Sequence, residues 1–269
     1  MIDFQGLLAS IKPSGEANQY SVSVDDTWLQ GRTAFGGLSA ALICEAMQQQ
    51  VDADRRLRAL SVVFVGPVPA GEHRIVIREL RAGGSVSHLQ GELVCDGEVA
   101  VTVSASYGKD RPSAIKLDAP SIPEVSPPES LTPLPYIKGI TPQFTQHFDM
   151  RIASGDLPFS GAASADFGIW LRFPSPRAID IPALIALADS PPMPGLNMIK
   201  PPGVGSSLSW YLEFPTDLPS ADASQWWYCD YRCQAAGDGY FHNNATIWGP
   251  DGRAVMFSRQ IATVFEKRD

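Results

Sequence analysis

The chain of 269 residues is most easily read from what it lacks. No apolar run approaches the roughly 20 residues that cross a bilayer. The N-terminal stretch MIDFQGLLASIKPSGEANQY has no basic segment leading into an apolar one. A signal peptide and a membrane partner are therefore not expected, and a cytoplasmic address is. Positive charge is scarce too: 21 Lys and Arg stand against 29 Asp and Glu, for a net charge of −8, and no dense basic cluster offsets that balance. Sequence-independent nucleic-acid binding is excluded on these grounds, leaving small molecules or further copies of the chain as partners. The four cysteines, Cys44, Cys95, Cys229 and Cys233, form no CxxC and read as buried thiols. The four histidines, His73, His88, His147 and His242, are scattered without ligand spacing, so no metal is expected.

What is present is a normal globular core, 44% hydrophobic, written as one pattern twice. The first copy runs as a helix, GGLSAALICEAMQQQV, followed by strands LRALSVVFVGPVPAGE, HRIVIRELRAGGSVSHLQGELVCDG and EVAVTVSASYG. The second runs as a helix, DIPALIALAD, then GSSLSWYLEFPTDLP, QWWYCDYRCQAAGDGYFHNNATIWGPDG and RAVMFSRQIATVF. Leu60-Ser61 can be laid on Leu208-Ser209, Gly83 on Gly237, His88 on His242, and Asp96-Gly97 on Asp251-Gly252. Between the copies, residues 109–143 are rich in proline and hold no sustained period. Three segments follow: an N-terminal repeat at 1–108, a linker at 109–143 and a C-terminal repeat at 144–269. The linker is expected to lie on the surface, anchored by Ile122, Leu131, Leu134, Tyr136 and Ile137. A helix followed by a long antiparallel meander is an α+β layer, and two similar copies can pair about a pseudo-twofold axis.

The stretch from Trp28 and Arg32 into Phe35-Gly36-Gly37, the turn strand FVGPVPAGE, and ALADS, SSLSWYLEF and SRQIATVF in the second half together resemble the acyl-CoA thioesterase II family. The resemblance covers almost the whole chain outside the linker. It implies a double hotdog fold, two antiparallel sheets each wrapping a central helix and paired as a pseudo-dimer, with an acyl-CoA substrate and no cofactor. It also implies a site in which Asp189, Ser207 and Gln260 hold and polarise the water that hydrolyses the thioester. Ser207 stands where the family prefers threonine; the hydroxyl is kept.

The residues support that chemistry independently. Asp189 is the only carboxylate between Asp180 and Glu213 and can act as a base, while Ser207 and Gln260 can orient water without ionising. No GxSxG is present, so a covalent intermediate is not required. By the local alignment Gln260 falls on Ala105, Ser207 on Ala59 and Asp189 on Met47, so all three polar positions are apolar in the first copy. Conversely, Gly36-Gly37 falls on Ala178-Ile179. Phe35, Gly36 and Gly37 are therefore read as substrate-binding, with helix N–H groups offered to the acyl carbonyl.

Bland readings stand beside these: Asp189 as a helix end before Pro191 and Pro192, Ser207 as a strand serine, the glycine pair as helix packing. The matched His88 and His242 read as structural. Arg55, Arg56 and Arg58 could meet the phosphates of coenzyme A or belong to a solvated loop. A non-hydrolytic acyl-CoA binding protein, a hotdog hydratase or dehydratase, and a structural module remain the alternatives, and a homodimer or higher homo-oligomer is expected.

Overall fold

A computed structural model describes residues 2–200 and 203–266. By its internal contacts the chain forms two compact units. The first comprises residues 1–118, 136–147 and 180–189, and the second residues 119–135, 148–179 and 190–269.

The first unit contains α1 (Phe4–Ala9), β1 (Lys12–Pro13), β2 (Gln19–Val24), the short pair β3 (Leu29–Gln30) and β4 (Thr33–Ala34), α2 (Gly36–Gln48), β5 (Arg56–Phe64), β6 (Gly71–Ala82), β7 (Val86–Cys95), β8 (Glu98–Gly108) and α3 (Ile181–Ala188). Its main strands lie in the order β1-β2-β6-β7-β8-β5, every neighbour antiparallel. Alternation drives β8, whose Val101, Val103, Ala105 and Tyr107 point inward and are buried. α2 and α3 are instead apolar nearly all round, the signature of helices enclosed by other elements. α2 packs on β6, β7 and β8, and α3 packs on α2. The Asp180 side chain caps α3 by accepting from the Ala183 N–H, and Pro182 occupies its first turn.

The second unit contains β9 (Asp149–Ser154), β10 (Phe167–Arg172), β11 (Gly203–Glu213), β12 (Trp227–Gly237), β13 (Tyr240–Trp248) and β14 (Ala254–Glu266), in the order β11-β14-β13-β12-β10-β9 and again antiparallel. This is the first unit's order read from its other edge. The bulges recur as well. β6 and β7 slip between Glu79 and Arg81, as β12 and β13 do between Cys233 and Ala235. β7 and β8 slip at Leu93/Val94, as β13 and β14 do at Ile247/Trp248. β5 slips against β8 between Leu57 and Ala59, as β11 does against β14 between Ser207 and Ser209. A bulge shifts every later side chain to the other face, so three matched bulges reproduce the whole inward-facing set.

This register corrects one alignment. His88 pairs with Ser106 and His242 with Ile261, while Leu57 pairs with Tyr107 and Ser207 with Ala262. Ser207 therefore corresponds to Leu57, two residues before Ala59. The Leu-Ser dipeptide match was local coincidence; the bulge sets the true offset, and the first-copy residue remains apolar.

The proline-rich segment is only partly anchored as expected. Ile122 packs against Tyr228, Trp248 and Ala254, and the Trp248 indole donates to the Pro120 carbonyl at 2.9 Å. Leu134 donates its backbone N–H to Met150 at 2.9 Å. Tyr136 and Ile137 are exposed instead, so they are not anchors. All four cysteines are free thiols; Cys44, Cys95 and Cys229 are buried, while Cys233 is only half-buried.

Candidate active site

In the first unit the N-terminus of α2 lacks a cap of its own, because its cap residue is Phe35, whose side chain accepts no hydrogen bond. Asp189, the residue that ends α3, takes that role: its Oδ2 accepts the Gly37 backbone N–H at 2.6 Å. The carboxylate thus sits at the unfavourable end of its own helix dipole and at the favourable end of α2. The glycines make the approach possible. A Cβ on Gly37 would lie 2.7 Å from the Asp189 Cβ and 3.2 Å from the Ile185 carbonyl, and one on Gly36 would lie 2.9 Å from Asp189 Oδ2 and 2.8 Å from the Phe64 ring. The pair is therefore a point of close packing, and the Gly37 N–H is directed at a carboxylate of the protein. Phe35 is buried, stacked on Phe144 at 4.4 Å and on Trp28 at 6.2 Å, which fixes the chain direction into α2.

Trp28 is held in turn by His147, stacked at 3.8 Å and nearly parallel. Thr27 Oγ1 lies in hydrogen-bond contact with Asp25, and His147 Nε2 lies 3.0 Å from the same hydroxyl. The hydroxyl proton serves Asp25, so Nε2 carries a proton and donates. Burial pushes the His147 pKa down to about 4.

In the second unit the Gln260 Nε2 donates to Ser207 Oγ at 3.0 Å. Gln260 is buried on β14, and Ser207, half-buried, lies just before the β11 bulge. The bulge brings Ser207 onto the face that Gln260 occupies, since Trp210, beyond it, is Gln260's direct opposite. A hydroxyl that accepts from an amide still has its own proton to donate, which suits the pair to orienting a water. The register adds a polar side chain that sequence reading passed over. Asn243 lies directly opposite Gln260, is 2% exposed, and shares the inward parity of Phe241, Ala245 and Ile247 in YFHNNATIW. An asparagine at an inward position of an alternating strand was the available signal.

The other candidates settle elsewhere. His88 is exposed and bonded to Ser106 at 2.9 Å. Arg56 and Arg58 pair with Asp110, and Arg55 with Asp52 and the Ser87 hydroxyl. Burial pushes the Cys44 thiol up to about 12 and raises that of Cys229 as well, so neither is a thiolate nucleophile near neutral pH.

Solved structures place this fold. A conserved protein of unknown function with a hot dog fold from Alicyclobacillus acidocaldarius is 23% identical, with 98% of each chain covered and a TM-score of 0.86. The acyl-CoA thioesterase II TesB2 of Mycobacterium marinum is 21% identical over 97% of each chain, TM-score 0.76. The tesB protein of Mycobacterium avium subs paratuberculosis is 15% identical, covering 98% of this chain and 100% of its own, TM-score 0.80. The class is thus a hotdog fold built on antiparallel sheet with few helices. The sequence identifies the family within that class: residues 24–108 match the acyl-CoA thioesterase N-terminal domain and residues 128–264 the acyl-CoA thioesterase C-terminal domain. The chain belongs to the acyl-CoA thioesterase family and is a thioester hydrolase acting on acyl-CoA. No curated protein matches it by sequence.

Proposed function

We propose that this thioesterase hydrolyses acyl-CoA to the free acid and coenzyme A by direct attack of a water, with Asp189, Ser207 and Gln260 as its catalytic residues and no covalent intermediate. The observation that carries the reading is the Gln260–Ser207 hydrogen bond, a buried amide committed to a hydroxyl where the first repeat has hydrocarbon. Asp189 takes a proton from the water as its oxygen forms a bond to the acyl carbon. The C–S bond then breaks, and the thiolate leaves with the electron pair and is reprotonated. In this scheme Gly37 holds the carboxylate, Gly36 leaves room for Asp189 and the Phe64 ring beside the helix start, and Phe35 fixes the direction of the chain into it, so that the three shape the substrate side of the site.

We further infer a double hotdog, in which the repeats at 1–108 and 144–269, joined by 109–143, pair as the subunits of a dimer would. Recurrence of strand order and of three bulges supports the duplication. Self-association of the chain is proposed too, supported by Val204, Tyr211 and Phe265 exposed on the β11–β14 ribbon. Among the described residues no helix is long and apolar enough to cross a membrane; a cytoplasmic location is proposed with it.

The test is release of coenzyme A from a panel of acyl-CoAs by the wild type and Asp189→Asn. Asparagine keeps an oxygen for the Gly37 N–H but cannot serve as base, so kcat should fall about 10²- to 10⁴-fold while the melting temperature changes little. Equal turnover by both proteins would remove Asp189 from the mechanism.

A further inference from the structure

We propose that Asn243 is a further catalytic residue, the donor that binds the thioester carbonyl oxygen as negative charge builds on it. The inference rests on the water-attack reading above.

Asn243 is 2% exposed, and among the described residues neither its Nδ2 nor its Oδ1 has a hydrogen-bond partner. A folded core rarely keeps both halves of a carboxamide unsatisfied, since each orphan atom costs stability that an apolar residue would not. The first unit shows the apolar solution. There Leu89 lies opposite Ala105 at the register where Asn243 lies opposite Gln260, and both are buried. In the second unit both positions hold amides, and one of those amides already meets the Ser207 hydroxyl.

The placement suits an electrophile site. Strand order β11-β14-β13 sets Gln260 between Ser207 and Asn243, all three on one face. Residues directly opposite in antiparallel strands have Cβ atoms about 5 Å apart. Gln260 thus has Ser207 on one side and Asn243 on the other, so a thioester whose carbonyl oxygen meets Asn243 Nδ2 would lie beside the proposed water site. The Gly37 N–H, the obvious alternative donor, is taken by Asp189. The acyl-pantetheine thioester also complements both halves of the carboxamide, with its carbonyl oxygen for Nδ2–H and the pantetheine amide N–H, two carbons beyond sulfur, for Oδ1. In the addition step the C=O π pair moves onto oxygen against Nδ2–H; in the collapse it returns as the C–S bond breaks.

The experiment compares wild type, Asn243→Leu and Asn243→Asp on an acyl-CoA by kcat, KM and thermal melting. Asn243→Leu installs the first repeat's residue and should lower kcat about 10²- to 10³-fold, with KM little changed and the melting temperature equal or higher. Asn243→Asp keeps shape and acceptor, loses the N–H, and should lose kcat comparably. Wild type should also prefer an N-acetylcysteamine thioester to the ethanethiol thioester of the same acid, and Asn243→Leu should narrow that preference. A kcat within about threefold of wild type for Asn243→Leu overturns the proposal. So does a parallel fall of kcat and melting temperature in both variants, which would assign Asn243 to the fold. Gln260→Ala, run beside them, separates the two readings: full turnover there defeats the water-attack scheme, whereas loss there with unchanged Asn243 variants defeats only this inference.

Discussion

At the centre of the first unit's sheet Leu89 faces Ala105, and Leu57 lies before the β5 bulge; in the second unit the same three register positions hold Asn243, Gln260 and Ser207. The frames agree in strand order and in all three bulges, so the difference is one of side chains on a common scaffold. An apolar trio on one copy and a polar trio on the other show that the same register can carry either character, and the proposed water-attack site takes the polar copy. Backbone pairing is tolerant of what points off the sheet as long as the alternation holds, which lets one copy keep hydrocarbon where the other carries polar side chains. The glycine pair at the start of α2 shows the converse, a feature of the first unit alone, where close packing positions a carboxylate.

The strongest way to break this comparison is to make the second unit like the first. Gln260→Ala should lower kcat by about 10²-fold or more, the scale expected for loss of a group that positions a reactant, measured by coenzyme A release. Stability should hold, since alanine already serves in the matching place. The reverse exchange should cost stability with no gain of function. Ala105→Gln buries an amide opposite Leu89, and chemical denaturation should show a loss of about 1–3 kcal/mol.

Gly37→Ala tests the first unit's own contribution. Its Cβ would meet Asp189 at 2.7 Å and backbone at 3.2 Å, so α3 must shift. We expect about 1–3 kcal/mol of destabilisation together with a fall in kcat, because the carboxylate moves with the helix. Unchanged kinetics would separate the packing role of the pair from catalysis.

His147 predicts a pH dependence confined to the first unit. Its pKa is depressed to about 4 by burial against Trp28, below the ordinary value of 6.5. The folded state thus favours the neutral ring, and the unfolded chain binds a proton first. Stability is complete above about pH 6.5, declines as pH falls from there toward 4, and has lost about 3 kcal/mol at most below that. Thermal melts of wild type and His147→Gln across this range should converge at the acid end; parallel curves would remove the histidine as the cause. The smallest effect is expected from Ser207→Thr, which keeps the hydroxyl that Gln260 meets and should leave kcat within a few-fold.

Much of this was legible in the chain. The duplication, the helix starts at Gly36 and Asp180, the strand set and the family resemblance all rest on local alternation, caps and turn residues. Gln260 was legible because an amide at an inward strand position needs a partner. Asn243 carries the same signal in YFHNNATIW, but that it lies across from Gln260 is something no local pattern states. That Ser207 meets Gln260 agrees with their grouping in the sequence, but the repeat counterpart of Ser207 lies two residues from where the sequence puts it, because a bulge leaves no mark in composition. The Tyr136 and Ile137 anchors failed because apolar residues between prolines do not reveal which of them meets the core.

The sequence by itself determined the repeat, the alternation of each strand and the identities of the polar residues, since these follow from periodicity and side-chain chemistry along a single segment. Only the tertiary structure decided that Asp189 caps a helix 152 residues away in the chain, and that Gln260 meets Ser207 across 53 residues. Such pairings depend on bulge positions and on the distance of closest approach between helices. Both are set by steric fit between segments remote in sequence, and Gly36 and Gly37 acquire their purpose only there.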